Sequence, residues 1–312
     1  RTPLAKGSDP NDFGVHAALS PDGKMIAYTA LPEWNYDNRL AADLWLVTTD
    51  GNEQRLLAEG VDLGGPSYPY WSPDSRYIAF VRSSERSTET EDIYETTAWM
   101  IDIITGEEIK VEHPDSNKKS AWPIGWASDG AGFYYRSQGD VYFFSKKTNT
   151  STFIVSLPTS TLGCNLSPDS SQILCSVMTN REKGIYELVT LFLQDRESPK
   201  VIKQFQGENF TSLWGPHNQA ITISENLPAM ESTTLQIIEA DTKSAIDLKL
   251  QTSGNYFPRS WSPDGTWLAA QSLSESHGDL YFFSNNGQTV NHLPTQGATD
   301  VLGWLMIDLS SK

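Results

Sequence analysis

The stretch WSPDSRYIAF, residues 71–80, returns along the chain in several variants. The other copies are LSPDGKMIAY (19–28), LSPDSSQILC (166–175), WSPDGTWLAA (261–270) and, less closely, WASDGAGFYY (126–135) and WGPHNQAITI (214–223). In the close copies Pro suits the second position of a tight turn, and Ser and Asp can bond nearby backbone N–H groups. Strand-forming residues follow at once, so each copy predicts a hairpin between two strands. The repeated acids are therefore interpreted as turn residues rather than as catalytic carboxylates; they are Asp22, Asp74, Asp169 and Asp264.

The copies begin 40 to 55 residues apart, and repeats of this length that hold several strands are typical of solenoids and propellers. Each hairpin is followed by a third strand, such as DLWLVTTD (43–50) or DLYFFSNN (279–286), and then by a short fourth one, such as EQRLLAE (53–59). Several of these strands are apolar on consecutive positions, which is typical of strands covered on both faces. Six such units with four antiparallel strands each predict an all-β fold, a six-bladed β-propeller.

The repeat consists of WSPDG, then a strand with Ile or Leu before Ala, then a strand that begins with Asp-Leu-Tyr or Asp-Leu-Trp. It resembles the repeat of TolB-like propellers and is similar to repeats in the propeller domains of dipeptidyl peptidase IV and of prolyl oligopeptidase relatives. The resemblance spans about residues 15–295 and implies the propeller fold rather than a particular function. Two copies have Ala127-Ser128 and Gly215-Pro216-His217 where Ser-Pro-Asp is expected, so we expect their turns to differ.

One domain accounts for almost all of the 312 residues. Residues 1–14 are expected to form an extended N-terminal arm, and residues 15–297 the propeller. Residues 298–312 are expected to form an apolar C-terminal strand with no blade behind it. The apolar positions of this assembly strand are Val301, Leu302, Trp304, Leu305 and Ile307. The strand latches onto its own chain, displaces the strand Val15–Leu19, or adds to the sheet of a neighbouring subunit.

Acidic residues outnumber basic ones by 39 to 23, which gives a formal net charge of −16. This excess argues against a nucleic-acid partner, because such binding relies on Lys and Arg to neutralise phosphates. No apolar run reaches 18 residues, so we expect no membrane insertion, and the acidic charge fits a periplasmic or secreted extracellular protein. The five histidines form no metal-binding pattern, and no nucleophile or nucleotide motif is present. We therefore predict no metal ligand, no cofactor and no catalytic residue, and in particular no peptidase activity.

The connections between the second and third strands are long in four repeats, at residues 31–42, 83–97, 178–184 and 225–233. In a meander blade these connections leave on one face, and long loops on a rigid scaffold are where binding residues usually lie. Two of them combine carboxylates with aromatic side chains. The candidate partner-binding residues are Glu33, Trp34, Tyr36, Asp37, Glu89, Glu91, Asp92 and Tyr94. The alternative is that these connections are solvated loops without a ligand.

The two cysteines, Cys164 and Cys175, flank the turn LSPDSS. If this turn is centred between Asp169 and Ser170, the cysteines face each other across the hairpin and lie within reach of a disulfide. A bridge would imply an oxidising compartment. The alternative is a pair of small buried thiols.

Together these observations favour a non-catalytic propeller from outside the cytoplasm that acts as a protein-interaction or assembly module through its loops and terminal segments. Its partner would be another protein or a second copy of the chain. One alternative is a subunit of an extracellular filament or oligomer formed by strand donation. Another is a propeller enzyme of the lyase or lactonase kind, which would need His and carboxylate ligands in the central channel. The last is a carbohydrate-binding module that uses Trp34, Tyr36 and Tyr94.

Overall fold

A computed structural model of the chain describes residues 16–30, 42–62, 68–87, 92–118, 120–194, 198–206, 210–227, 232–248, 255–273, 278–295 and 301–304. Within these ranges the chain forms 24 β-strands and one short 3-10 helix, Pro216–Asn218. The strands form six four-stranded sheets, and every paired neighbour is antiparallel. The sheets are the blades of a six-bladed β-propeller, which confirms the fold that the repeats predict.

Each blade is made of four strands that follow one another in the sequence, in the spatial order of the chain. The strands of the first three blades are β1 (Ala17–Leu19), β2 (Met25–Ala30), β3 (Ala42–Thr48), β4 (Gln54–Val61), β5 (Tyr70–Trp71), β6 (Tyr77–Ser87), β7 (Asp92–Asp102), β8 (Glu108–Lys110), β9 (Trp122–Trp126), β10 (Gly132–Ser137), β11 (Asp140–Ser145) and β12 (Thr150–Ser156). Those of the other three are β13 (Thr161–Leu166), β14 (Gln172–Asn180), β15 (Ile185–Phe192), β16 (Lys200–Gln206), β17 (Phe210–Trp214), β18 (Ala220–Leu227), β19 (Ser232–Glu239), β20 (Ala245–Asp247), β21 (Asn255–Trp261), β22 (Trp267–Leu273), β23 (Gly278–Ser284) and β24 (Val290–Leu293). The chain divides into two compact units, Arg1–Leu157 and Pro158–Lys312, and each unit holds three blades.

The Ser-Pro-Asp turns are closed by side chains as well as by the backbone. In the second blade the hydroxyl of Ser72 donates to Asp74 Oδ1 and accepts the N–H of Tyr77 at 2.8 Å. The backbone N–H of Ser72 also donates to the carbonyl of Tyr77 at 2.8 Å. The fourth position has a positive φ, 56° at Ser75. The close copies thus use their Asp residues to hold the turn, which confirms the interpretation of these acids as turn residues.

The two divergent copies behave differently from each other. The third keeps the backbone closure, Ala127 N–H to Gly132 O at 2.9 Å, although Ala127 has no hydroxyl to support it. The fifth also keeps this closure, from Gly215 to Ala220 at 2.7 Å, but its middle becomes a 3-10 turn. His217 and Asn218 there have φ values of 63° and 58°. The sequence predicts that both turns differ from those of the close copies. The backbone of the turn changes in the fifth blade, whereas the third blade keeps the usual backbone and lacks only the hydroxyl.

The Trp at the end of an inner strand joins neighbouring blades within a unit. Trp71 donates its indole N–H to Ala18 O at 3.0 Å, and Trp126 donates to Tyr70 O at 2.8 Å. In the second unit Trp214 donates to a backbone carbonyl of the preceding blade at 3.3 Å, and Trp261 donates to a threonine hydroxyl there at 2.9 Å. Because each bond reaches the preceding blade, the aromatic residue of the repeat is a blade-to-blade connector.

The cores lie between successive blades of each unit. Phe80 and Ile101 pack with Leu44 of the first blade, whereas Met100, the neighbour of Ile101 in β7, packs with Phe133 of the third. Consecutive residues of one strand therefore enter different cores. This arrangement accounts for the strands that are apolar on consecutive positions, because a blade with a neighbouring blade on each side is covered on both faces.

Candidate partner-binding face

The hairpin of the second blade is the longest in the described part of the chain. Its strands β6 and β7 have 11 residues each and pair without a break from Tyr77 and Asp102 to Ser87 and Asp92. The equivalent strands of the third blade, β10 and β11, have only 6 residues each. The difference is five residue pairs, about 16 Å at the usual rise per residue. We call the extra part, residues 83–87 and 92–96, the blade-2 extension.

The interpretation of residues 83–97 as a loop is wrong for the part that the structure describes. Ser83 pairs with Thr96, and the pairing continues to Ser87 and Asp92. Thr and other β-branched or aromatic residues favour strands, and a strand with a solvated face does not need an apolar sequence. The segment has the polar composition of a loop but forms a two-stranded antiparallel ribbon that continues the sheet.

The predicted contact residues divide into two groups. Asp92 and Tyr94 lie on β7 within the blade-2 extension, where they pair with Ser87 and Glu85. The other candidates lie outside the described residues: Glu33, Trp34, Tyr36, Asp37, Glu89 and Glu91. The structure thus places two of the eight candidates on the projecting ribbon.

The root of the blade-2 extension is held by Arg82, a residue outside every site that the sequence predicts. Its guanidinium group donates to Glu59 O at 3.2 and 3.0 Å and forms a two-pronged ion pair with Glu108. The guanidinium carbon also lies 4.5 Å from the centre of the Trp99 ring. A planar cation that bonds and stacks in this way holds a fixed position. No motif marks this arginine, because its partners come from three different strands.

The first blade also supports the extension. Ser83, its first residue, donates its hydroxyl to the carboxylate of Asp62, a side chain that is buried. Nearby on the same blade, burial and then the charge of Glu59 raise the pKa of Asp43. The first blade therefore presents carboxylates at the end of the sheet from which the extension projects.

The third blade follows the second in the chain, and its hairpin of β10 and β11 is shorter than the blade-2 extension's hairpin. Lys118 forms an ion pair with Asp140 and donates to the hydroxyl of Tyr142 at 3.0 Å. Burial raises the pKa of Asp140, but hydrogen bonds from Lys118 and Ser156 outweigh it and leave the pKa below its usual value. Ala121 donates its backbone N–H to Thr96 O at 3.0 Å, where the extension leaves the sheet. The hairpin of the third blade thus ends at the pair Ser137 and Asp140, and the Lys118–Asp140 ion pair lies at this end.

In the second unit the strands also run into the connections that were predicted to be long loops. β14 extends to Asn180 and β15 begins at Ile185, which leaves a short turn of residues 181–184. β18 extends to Leu227 and β19 begins at Ser232, and residues 228–231 lie outside the described residues. Neither hairpin has strands as long as β6 and β7.

The cysteines face each other in the fourth blade. Cys164 of β13 pairs with Cys175 of β14, and the two Cα atoms are 4.1 Å apart. The sulfur atoms are joined in a disulfide with an S–S distance of 2.02 Å. Cys175 is buried, while Cys164 is partly exposed. The bridge therefore joins the inner strand of this blade to the second strand.

The described part of the C-terminal segment contacts its own chain. Residues 301–304 are not part of a strand, and the ring of Trp304 lies edge-on to Phe282 with a centroid distance of 5.8 Å. Val301 and Leu302 lie in the same short segment, whereas Leu305 and Ile307 lie outside the described residues, as does the N-terminal arm. β1 is paired with β2, so the strand Ala17–Leu19 is in place in the first blade.

Two further observations bear on the classes of function. Among the described residues, no group of three or more His, Cys, Asp or Glu side chains is arranged to hold a metal ion. No helix in the same ranges is long and apolar enough to cross a membrane.

No family model matches the chain. Dipeptidyl-peptidase 5 of Porphyromonas gingivalis is 29% identical over 136 residues, which are 43% of this chain and 18% of that protein. A probable dipeptidyl-peptidase 5 of Aspergillus terreus is 29% identical over 99 residues, 29% of this chain and 13% of that protein. The match thus covers less than a fifth of the length of either relative.

Solved structures resemble the chain over most of its length. The β-propeller domain of the trilobed protease from Pyrococcus furiosus matches with a TM-score of 0.62 and 13% identity, over 92% of this chain and 89% of that one. An oligogalacturonate lyase in complex with manganese matches with a TM-score of 0.62 and 15% identity, over 91% of this chain and 78% of that one. At these identities the likeness concerns the fold alone. Together with the relatives it confirms the resemblance to the propeller repeat family that the sequence indicates.

Proposed function

We propose that the chain is a non-catalytic β-propeller module that binds a protein partner outside the cytoplasm, chiefly through the blade-2 extension. The observation that carries this proposal is the ribbon itself, which runs five residue pairs beyond the hairpin of the third blade. A connection that only joins two strands of a blade needs no such length, as β10 and β11 demonstrate.

The way the extension is rooted supports a binding role. Arg82 and Ser83 join its base to the first blade, and the N–H of Ala121 joins it to the segment that enters the third. A segment that is already ordered loses less conformational entropy when a partner binds than a free loop does. The ribbon also presents backbone N–H and C=O groups at its edges, which an extended partner segment can pair with.

The extracytoplasmic location rests on the bridge between Cys164 and Cys175. Disulfides persist in oxidising compartments and are rare in the cytosol. The excess of acidic residues is compatible with such a location but would not by itself distinguish it.

A second candidate follows from the relatives. Two proteins named as dipeptidyl-peptidases match part of the chain at 29% identity, and each is several times longer than its matched segment. The chain would then be the propeller part of a larger peptidase, and its projecting ribbon would contact the peptidase domain. This candidate shares the proposed interface and differs in the partner, which would be a hydrolase domain of the same protein.

The test removes the extension beyond its first residue pair and keeps the blade. Residues 84–95 are replaced by Asn-Gly, which suits a two-residue hairpin turn, so that Ser83 and Thr96 keep their bonds to Asp62 and Ala121. As a matched control, residues 181–184 of the fourth blade are replaced by the same turn. Proteins recovered with the tagged chain from its own organism are identified by mass spectrometry, and the affinity of each is measured with purified components.

We expect the shortened chain to melt within a few degrees of the parent and to bind its partner at least about tenfold more weakly, a loss of about 1.4 kcal/mol. The control should bind normally. If the partner contains a serine hydrolase domain, the second candidate is supported. Equal binding by the shortened chain, or a large drop in melting temperature without a binding defect, would show that the ribbon is structural.

A further inference from the structure

The outer strands of the blades differ in how they are protected against pairing with another chain. Each is the last strand of its sheet, so one edge has no neighbour in the sheet. Exposed edges of this kind are normally protected by charged side chains, by proline or by short length. β4, β8, β16 and β20 each contain charged residues, and β24 has four residues.

β12 of the third blade lacks these protections. Its seven residues, TSTFIVS, include no charged residue and no proline. Thr, Phe, Ile and Val are among the residues that favour strands most strongly. Phe153 lies in the middle of the strand and is 50% exposed. A neutral, β-prone strand with an exposed aromatic side chain is a template for the addition of a further strand.

Half of β12 has regular geometry. Thr150, Ser151, Thr152 and Phe153 pair in unbroken register with Ser145 to Tyr142 of β11. The irregularity of this pair of strands lies beyond Phe153, between Phe153 and Val155. The outer edge of residues 150–153 therefore continues the hydrogen-bonding pattern of the sheet, and alternate residues there direct N–H and C=O groups outward.

We propose that residues 151–153 pair antiparallel with the same residues of a second copy of this chain, so that the third blades of two copies share one continuous sheet. A two-fold axis at Thr152 places Thr152 of each copy opposite Thr152 of the other, and Phe153 opposite Ser151. Two Thr residues directly opposite each other are a favourable cross-strand pair. The same residues serve on both sides, as a two-fold interface requires.

Charge favours a second copy as the occupant of this edge. The chain carries a net charge of −16, so most contacts between two copies would bring acidic groups together. β12 is the one outer strand of more than four residues without a charged side chain in the described part of the chain. Self-pairing along it places no like charges directly opposite each other, whereas self-pairing along a charged outer strand would. The contact is small, so the dimer should be weak and reversible.

The test is sedimentation velocity of the 312-residue chain over a wide range of concentrations, with one edge residue varied. Thr152 is exposed, so its replacement should not disturb the core. T152K brings two like charges close together across the two-fold axis and should weaken dimerisation about tenfold or more. T152V introduces no charge and should dimerise at least as well as the parent. V201K places the same charge on β16, whose edge already has lysines, and should dimerise normally.

The amides of residues 151–153 should also exchange hydrogen more slowly at high concentration than at low concentration. A parent chain that stays monomeric up to its solubility limit would overturn the proposal. So would a dimer that T152K leaves intact, or a series of larger assemblies in place of a dimer. A dimer that survives T152K and is abolished by deletion of residues 305–312 would assign association to the C-terminal segment instead.

Discussion

The indole N–H of Trp126 donates to the backbone carbonyl of Tyr70 at 2.8 Å and joins the third blade to the inner strand of the second. The Trp126 ring is buried and packs against Phe133 with a centroid distance of 5.4 Å. One side chain thus packs in the core between the second and third blades and bonds to the second.

Replacing Trp126 with Phe should keep most of the packing and remove this bond. Because Tyr70 O would lose its indole donor, we expect the free energy of unfolding to fall by about 1–2 kcal/mol. Urea unfolding followed by circular dichroism measures the change. Exchange of Tyr134 for Phe, which also removes one polar group from the same blade, is the control and should cost less. Equal effects of the two substitutions would contradict the role of the bond.

The Asp residues of the Ser-Pro-Asp turns should make the stability of the fold depend on pH in the acidic range below about pH 4. Burial raises the pKa of Asp169, but bonds from Asn218 and Ser171 outweigh it and lower the pKa from 3.8 to about 2. The folded pKa is below the unfolded value, so the contribution is fully present above about pH 4 and is lost as pH falls towards 2. Exchange of Asp169 for Asn should lower the melting temperature at pH 7 and change it much less at pH 2. A pH-independent difference between the two proteins would argue against this account.

Gly132 should tolerate no side chain. A Cβ atom at this position would lie 1.9 Å from Phe144 O and 2.8 Å from Phe143 Cζ. Because the first of these neighbours is backbone, the strand must shift, and we expect G132A to cost about 2–3 kcal/mol. At Gly139, near the other end of the same hairpin, an added Cβ atom would meet nothing within 4 Å, so G139A is the control and should be nearly neutral. Thermal unfolding of both variants measures the difference.

The disulfide should form without any added oxidant in protein from an oxidising compartment. Intact-mass measurement of unreduced, alkylated protein should show that neither Cys164 nor Cys175 is modified. Exchange of both for Ser should lower the free energy of unfolding by about 2–3 kcal/mol, because the bridge restricts a short loop of the unfolded chain. Two freely alkylated thiols in native protein would contradict the prediction.

The C-terminal segment should act as a latch on its own chain. Trp304 contacts Phe282 of β23, so deletion of residues 298–312 should lower the melting temperature by a few degrees and leave the oligomeric state unchanged. W304A should reproduce much of this loss, which would assign it to the ring contact. If the full chain is an oligomer and the truncated chain a stable monomer, the segment donates a strand to a neighbour.

Repeat spacing and turn chemistry are sufficient to predict the propeller, because each Ser-Pro-Asp turn is a local structure formed by residues adjacent in sequence. The facing positions of Cys164 and Cys175 also follow from a single turn. The blade-2 extension cannot be recognised in the same way, because its residues have the polar composition of a loop. A pattern of Thr residues around Ile93 and Tyr94 is the available sign of a strand.

The bonding partners of the residues around the root of the extension cannot be predicted from the sequence. Arg82 bonds to Glu59 and Glu108, and Lys118 bonds to Asp140, across separations of more than 20 residues. Such pairs depend on how segments that are distant in sequence approach each other, within one blade or between neighbouring blades. The predicted contact residues at 33–37 lie outside the described residues, and they stay a prediction.

Within each unit the repeats begin with Leu, Trp and Trp in that order: Leu19, Trp71 and Trp126, then Leu166, Trp214 and Trp261. Each Trp follows another blade of its unit, and its indole bonds to that blade. Leucine has no N–H group in its side chain and stands where the unit begins. For the protein engineer this is a rule of assembly. A blade to be inserted behind another should be copied from a repeat that begins with Trp, and its predecessor must offer an oxygen acceptor for the indole.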